Sequence, residues 1–251
     1  MINENPQTLL EWMIFLGHKY SGMFIEGTIL TLYIAVTGTI IGFILGYLVG
    51  FIDDMKISEG DFIVKKVFFK IIKSVFAIYV EVFRDTPMIV QAMIIYYGFR
   101  QMGTEMTSVF AGILVTVLNT GAYMGETVRG GIGSIDYGQR EGAWAMGMSP
   151  FKTMFYIVLP QAFKNIMPEM ANTFLTNLKM TSVLNVIAVQ ELFMAAKTVG
   201  GNYYKYFESY LIIASIYFVL CFLFNKLFKV IEKKLEGSPD YALAVEYMDN
   251  N

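Results

Sequence analysis

Cysteine, histidine and charged residues are scarce in this sequence, and each scarcity argues against a class of function. The single cysteine, Cys221, lies in an apolar run, so no internal disulfide forms and a packing role is expected. The single histidine, His18, lies outside every long apolar run, which argues against a serine–histidine protease within a membrane. No cluster of His, Cys and Glu offers a catalytic metal site. An intramembrane enzyme is therefore the weakest hypothesis.

Charged residues make up only 16% of the chain, whereas 55% of its residues are hydrophobic and its mean hydropathy is +0.51. This composition lies outside the range of ordinary soluble domains and indicates a membrane protein. A formal net charge of −2 argues against a nucleic-acid partner. Residues 1–22 carry Glu4, Pro6 and Glu11 instead of a basic start and a compact apolar core, so we expect no cleaved signal peptide.

Five mainly apolar runs are long enough to cross a hydrocarbon core of about 30 Å. They cover residues 27–51, 74–98, 107–128, 168–192 and 210–230. The sequence therefore predicts an all-α integral membrane protein with about five transmembrane helices. We expect three parts, which are an extracytoplasmic or interfacial segment at 1–22, a transmembrane domain at 23–235 and a short cytoplasmic tail at 236–251.

Basic residues concentrate in residues 52–73, in residues 129–164 and after the fifth run. Because positive residues favour the cytoplasmic side, this pattern puts the N-terminus outside. Residues 52–73 mix lysines with aromatic and aliphatic residues, which favours an amphipathic segment at the membrane interface. Within the first run, glycines at every fourth position predict that another helix approaches closely. These glycines are Gly38, Gly42, Gly46 and Gly50.

Residues 138–160 form a cytoplasmic connection that has more built-in structure than a simple loop requires. A short helix is predicted over residues 141–146, with Glu141 near its positive N-terminal end. Gly147 suits a left-handed stop at the C-terminal end of this helix. The result is a short helix of fixed length at the surface.

A second helix is predicted directly after this stop. Ser149 can cap its N-terminus, and Pro150 suits its first position. Apolar residues continue to Leu159, where Pro160 is expected to break the helix again. The whole connection therefore reads helix, stop, helix, stop.

This connection resembles the EAA loop of ABC-transporter permeases. The resemblance is carried by Glu141, Ala143, Gly147, Ile157 and Pro160. In that family, the short helix docks into a groove on a cytoplasmic ATPase and transmits its closure to the membrane helices. The resemblance therefore implies that these five residues couple the chain to an ATPase.

The chain is similar to the polar amino-acid permeases of that group from Tyr79 to Lys234. The matching motifs include Tyr79-Val-Glu-Val-Phe-Arg-Asp-Thr-Pro, Tyr123 with Glu126 and Arg129, Pro160-Gln-Ala, Lys179-Met-Thr-Ser and Glu191-Leu. The resemblance implies a type I ABC permease fold in the bacterial cell membrane. It also implies a second permease copy, identical or different, two ATPase subunits and an extracytoplasmic amino-acid-binding protein.

ATP hydrolysis is expected on a partner chain. Residues 98–103 contain two glycines at the spacing of a phosphate loop, but Thr104 stands where lysine is required. We therefore expect no cofactor on this chain, with ATP and Mg bound by the partner ATPase.

Polar residues within the second and fourth runs are candidates for the substrate path, since such residues are costly to leave facing lipid. An amino acid is a zwitterion and needs a cation or donors for its carboxylate and acceptors for its ammonium. Lys179, Thr181 and Ser182 are predicted to bind the carboxylate. Gln91 and backbone carbonyls near Pro87 are predicted to bind the ammonium.

Arg84 and Thr86 complete the predicted substrate set. Arg84 has an alternative role, because Glu81 lies three residues earlier on the same helix face and can neutralise it. Pro87 is predicted to kink the second span at a gate and to free the carbonyl of Phe83 for water, a side chain or substrate.

A secondary transporter or channel for small polar solutes is the alternative function. It would explain charged residues inside the spans without an ATPase. It leaves residues 138–160 unexplained, however, and the five runs lack an obvious inverted repeat. Dependence of uptake on ATP separates the two hypotheses.

Overall fold

The computed structural model describes residues 6–55 and 62–236, apart from the side chain of Glu236, and these residues form helices joined by short connections, without a strand. The first five helices are α1 (Leu9–Lys19), α2 (Ser21–Asp54), α3 (Ile63–Asp85), α4 (Met88–Gln101) and α5 (Ser108–Gly133). The next are α6 (Tyr137–Ala145), α7 (Pro150–Thr153), a π-helical turn (Met154–Val158) and α8 (Leu159–Met180). A 3₁₀-helix (Thr181–Ile187), α9 (Leu192–Tyr203) and α10 (Tyr206–Glu236) follow. Lys56 of the predicted amphipathic segment and residues 237–251 of the predicted tail lie outside the described residues.

The predicted all-α fold with several membrane helices is confirmed. Within residues 6–55 and 62–236, three helices are long and apolar enough to cross a membrane. They are α2, α5 and α10 over Tyr206–Leu235. A fourth candidate is the bent pair formed by Pro150–Ile187 and α9, with 56° between its parts.

Two of the predicted spans are broken rather than continuous. The run 74–98 is divided between α3 and α4, because Thr86 and Pro87 are extended. A residue before proline is disfavoured in helical geometry, and proline itself lacks the donor that would continue the helix. The run 168–192 is divided by the 3₁₀-helix and by Ala188, whose φ of 60° is left-handed.

The glycine ridge of α2 packs against α5, as the sequence predicts. Each glycine faces one residue of α5, and an added Cβ would lie 2.4–2.7 Å from that residue's side chain. The four facing residues are Thr116, Thr120, Met124 and Val128. Because a normal carbon contact is near 3.5–4.0 Å, no larger residue fits without separating the two helices.

The predicted helix break at Pro160 is wrong. The chain stays helical from Pro150 to Met180, because the π-helical turn widens the backbone just before the proline. Within it, the Leu159 amide donates to the Met154 carbonyl, five residues earlier. The side-chain amide of Gln161 donates to the Ile157 carbonyl at 2.8 Å. Pro160 then lies in the first turn of α8, where a missing backbone donor does little harm.

Candidate functional site

The break between α3 and α4 is held open by side-chain amides. The Phe83 carbonyl accepts hydrogen bonds from Gln91 Nε2 at 2.9 Å and from Asn119 Nδ2 at 3.2 Å. The same Gln91 nitrogen also donates to the carbonyl and hydroxyl of Thr86, both at 2.9 Å. The prediction that the Phe83 carbonyl is freed from helix hydrogen bonding is thus confirmed, and the amides of Gln91 and Asn119 bind it instead. The gating role of Pro87 stays a prediction.

A cavity of about 670 Å³ lies beside this break, between it and the helices α5 and α8. Its charged lining residues are Arg84, Asp85 and Glu169. Its uncharged polar lining residues are Thr86, Asn119, Thr120, Tyr123, Thr127, Asn172, Thr173, Thr176 and Asn177. We call this space the central cavity. It offers a cation, two carboxylates and several amides to one ligand.

Arg84 is the cation of the central cavity. Its guanidinium lies 3.9 Å from a carboxylate oxygen of Glu126 and 5.8 Å from the ring centroid of Tyr123. Glu126 is also hydrogen-bonded by Arg129, which lies 3.9 Å from Asp53. The sequence-based pairing of Arg84 with Glu81 is therefore corrected to Glu126 on α5. The Arg84 side chain is still 40% exposed, so it can reach a ligand.

Three of the predicted residues, Arg84, Thr86 and Pro87, line the central cavity. The side chains of the other four are not part of its lining. They are Gln91, Lys179, Thr181 and Ser182.

Local contacts explain where these four lie. Gln91 is 5% exposed, and its amide nitrogen donates to the Phe83 carbonyl at the helix break. The Thr181 hydroxyl is fully buried and donates to the Leu178 carbonyl, whereas the Ser182 hydroxyl donates to the Lys179 carbonyl. Lys179 is exposed and lies at the edge of the α8 face that carries Asn172 and Thr176, but it is not among the residues that line the cavity. That any of the four touches substrate stays a prediction.

Glu169, which lines the cavity, was missed by the sequence analysis. The signal was a helical spacing, because polar residues recur three or four positions apart along α8. The positions are Glu169, Asn172, Thr173, Thr176 and Asn177. They mark one face of the helix, whereas the sequence analysis weighed each polar residue separately.

The α6 helix has a defined start and a defined stop. It begins at Tyr137, where Asp136 Oδ1 accepts a hydrogen bond from the Gly138 amide at 2.7 Å. The predicted place of Glu141 near the N-terminus is therefore wrong, since the Asp136 cap adds a turn and leaves Glu141 in the middle of the helix, exposed. The predicted left-handed stop is confirmed, with Gly147 at φ 81°.

Two backbone hydrogen bonds fix this stop. The Met148 amide donates to the Ala143 carbonyl at 3.0 Å, and the Gly147 amide donates to the Trp144 carbonyl at 2.9 Å. This pair of bonds defines a Schellman motif. Ala143 is 4% exposed and packs inward. The segment therefore has one fixed shape.

The segment is anchored to α2 and exposes apolar side chains. Arg140 makes two hydrogen bonds to the carboxylate of Asp54, at 3.2 and 3.3 Å, with both side chains mostly buried. The predicted cap of α7 is confirmed, because Ser149 Oγ accepts from the Lys152 amide. Large apolar side chains of the segment are exposed at the surface, which is typical of protein-binding surfaces. They include Met146, Phe151 and Tyr156, at 79%, 64% and 72% exposure.

Residues 62–237 match the model of a family described as binding-protein-dependent transport system inner membrane component. The chain is 37% identical to an arginine transport system permease protein of Bacillus subtilis over 161 residues, which are 64% of this chain and 74% of that protein. It is 35% identical to a putative glutamine transport system permease protein of Rickettsia typhi over 213 residues, 84% of this chain and 92% of that one.

Solved structures agree with these relatives. The crystal structure of an amino acid ABC transporter with histidines aligns with a TM-score of 0.78 at 34% identity, covering 92% of this chain and all of the other. The inward-facing MetNI methionine ABC transporter aligns with a TM-score of 0.69 at 20% identity, covering 86% and 97%, and supports the fold alone. The chain therefore belongs to the family of binding-protein-dependent transport system inner-membrane components and is a multi-pass permease subunit with the type I ABC permease fold.

Proposed function

We propose that this permease imports an amino acid through the central cavity and is driven by an ATPase that docks on residues 138–160. The observation that carries the proposal is the cavity itself, because Arg84, Asp85 and Glu169 all belong to its lining. A zwitterion is bound best by a site that offers both signs of charge. The cavity volume also lies in the range of ordinary small-molecule sites.

In this proposal, Arg84 binds the substrate carboxylate, and Asp85 or Glu169 binds its ammonium or a cationic side chain. Arginine suits the first role because its planar donors match a carboxylate. Thr86 lies beside Arg84 in the lining and adds a polar oxygen. Lys179, with the hydroxyls near it, remains the competing carboxylate site.

Coupling to the ATPase follows from the chain order. The α5 helix, one wall of the cavity, ends at Gly133, three residues before the Asp136 cap of α6. The α8 helix, the other wall, continues from α7 without a break. A force applied to α6 by an ATPase therefore acts at the ends of both cavity walls. The proposed coupling residues are Glu141, Ala143, Gly147, Ile157 and Pro160.

The complete importer contains other chains. Membership of this family implies an ATPase and a binding protein, and we propose two ATPase subunits that bind ATP and Mg and a second permease copy beside this one. We place the N-terminus and residues 1–22 outside, where the amino-acid-binding protein delivers substrate. Residues 236–251 then belong to the cytoplasmic side with residues 138–160.

The test is uptake into vesicles that contain the permease, its ATPase and its binding protein. Radiolabelled L-arginine, L-glutamine and L-cystine are offered separately, with and without ATP. We expect uptake of at least one of them, dependent on ATP and lost without the ATPase. Uptake without the ATPase would favour a secondary transporter or channel instead.

Two matched substitutions distinguish the competing carboxylate sites. Arg84→Gln should raise the half-saturation concentration about 10-fold or more, the effect of losing one charged hydrogen bond. Lys179→Gln should leave it unchanged if Arg84 binds the carboxylate. Arg100→Gln is the control, because Arg100 stacks on Tyr96 away from the cavity lining. The reverse result would assign the carboxylate to Lys179.

A further inference from the structure

A buried polar cluster joins three helices at the wall of the central cavity. One terminal atom of the Asn177 amide lies 2.8 Å from the hydroxyl oxygens of both Thr39 and Thr120. The three residues come from α8, α2 and α5, and each is at most 5% exposed. Asn177 and Thr120 also line the cavity. We call this group the Asn177 cluster.

The hydroxyl protons decide which amide atom faces the two threonines, since the oxygen and nitrogen of an amide are told apart by their hydrogen bonds. A nitrogen there would donate to both hydroxyls, whose own protons would then have no acceptor among the described residues. Neither hydroxyl donates to the carbonyl four residues earlier, as that of Thr116 does. An oxygen there accepts both protons at a usual O–H···O distance and satisfies all three groups.

The other terminal atom of the amide is accessible from the cavity. It has no hydrogen-bond partner among the described residues. Within the same part of the chain, the only fully buried side-chain oxygen or nitrogen without a partner is Ser209 Oγ. The free amide atom of Asn177 is therefore not sealed in the protein, and it belongs to a residue that lines the cavity.

We infer that Asn177 is a specificity-determining residue, which turns its NH₂ group into the central cavity and donates a hydrogen bond to a carboxylate or amide oxygen of the substrate. Thr39 and Thr120 act as positioning residues, because their two donors fix the amide oxygen and thereby the NH₂ group. This inference rests on the proposed function. It adds an uncharged donor to the substrate contacts that Arg84 supplies.

The decisive variant is Asn177→Asp, which keeps the side-chain size and keeps an oxygen toward the threonines but replaces the NH₂ group by an acceptor. The probe is whichever of L-arginine, L-glutamine and L-cystine the wild-type vesicles import. We expect the half-saturation concentration to rise about 10-fold or more, with a smaller change in the maximal rate. Thermal unfolding without substrate is measured in parallel, because both hydroxyl donors keep an acceptor but the buried carboxylate has a desolvation cost of its own.

A second, uncharged variant separates the donor from the added charge. Thr39→Val combined with Thr120→Val removes both positioning hydroxyls, so the amide can rotate, and the half-saturation concentration should rise about 3-fold to 10-fold. Thr37→Val is the matched control on the same helix, because the Thr37 hydroxyl bonds only to backbone carbonyls of its own helix. We expect no change in that control.

The outcomes separate this inference from the proposed function. If wild-type vesicles import none of the three amino acids with ATP, the proposed function fails. If the wild type imports but Asn177→Asp leaves the half-saturation concentration unchanged, the cavity-facing atom is the oxygen and the inference is overturned. An equal rise in Thr37→Val would also overturn it, because the effect would then come from general loss of packing.

Discussion

Replacing Gly147 by valine should uncouple ATP hydrolysis from import. Gly147 has a φ of 81°, and an added Cβ would have no atom within 4 Å, so no clash contributes to the effect. The cost is conformational, because an L-residue in the left-handed region loses about 1–2 kcal/mol. That corresponds to a factor of roughly 5–30 in the population of the native stop. For a β-branched residue such as valine, this conformational cost lies at the upper end of the range of about 1–2 kcal/mol or above it.

Loss of the stop changes the shape of the segment while leaving the membrane helices intact. Without the left-handed residue, the Met148 amide no longer reaches the Ala143 carbonyl, and α6 has no fixed end. The ATPase would then push on a segment that deforms. We therefore expect more ATP hydrolysed per amino acid imported, or weaker co-purification of the ATPase.

Gly142→Ala is the matched control. Gly142 also has no atom within 4 Å of an added Cβ, but it lies within α6, where alanine is favoured over glycine by about 1 kcal/mol. This variant should couple as well as wild type. Gly147→Asn should couple better than Gly147→Val, because asparagine tolerates the left-handed conformation. If vesicles with Gly147→Val import at the normal rate per ATP, the reasoning is refuted.

Three further predictions concern the helix break, the glycine ridge and the anchor of α6. Pro87→Ala should lower the uptake rate, since it restores a backbone donor at the break, and unchanged rate and affinity would assign the proline to packing alone. Gly46→Ala should destabilise the protein by about 1–3 kcal/mol, because its Cβ would lie 2.4 Å from a side-chain carbon of α5. Gly98→Ala is the control and should not destabilise it, because an added Cβ there meets open space. Thermal unfolding in detergent measures both. Arg140→Gln should raise the amount of ATP hydrolysed per amino acid imported, because it leaves the mostly buried Asp54 without its cationic partner. Normal coupling in this variant would exclude a role for this anchor.

The sequence by itself determined the membrane character, the glycine ridge and the stop of α6. Each depends on a local property, which is the length of an apolar run, the spacing of small residues or the conformational freedom of Gly147. The freed carbonyl of Phe83 was also predictable, because it follows from the missing backbone donor of Pro87 in a helix. None of these needs a partner that is distant in the chain.

Only the tertiary structure decided which polar residues share the central cavity. Gln91 and Thr181 look like substrate ligands in the sequence, but their hydrogen-bonding groups already bond to backbone carbonyls and, for Gln91, to the side chain of Asn119. Arg84 pairs with Glu126, 42 residues later, rather than with the nearer Glu81. Such choices depend on how α3, α5 and α8 face one another, and the polar face of one helix does not specify which residues of the other helices lie opposite it.

The course of the chain around Pro160 shows the same limit. A proline in a linear pattern predicts a stop, but the π-helical turn before it and the side chain of Gln161 satisfy the backbone, so the helix continues. This continuity joins residues 138–160 to a wall of the cavity. The sequence thus determined the local pieces, whereas the mechanical connection between them depends on backbone geometry that forms only when the helices pack.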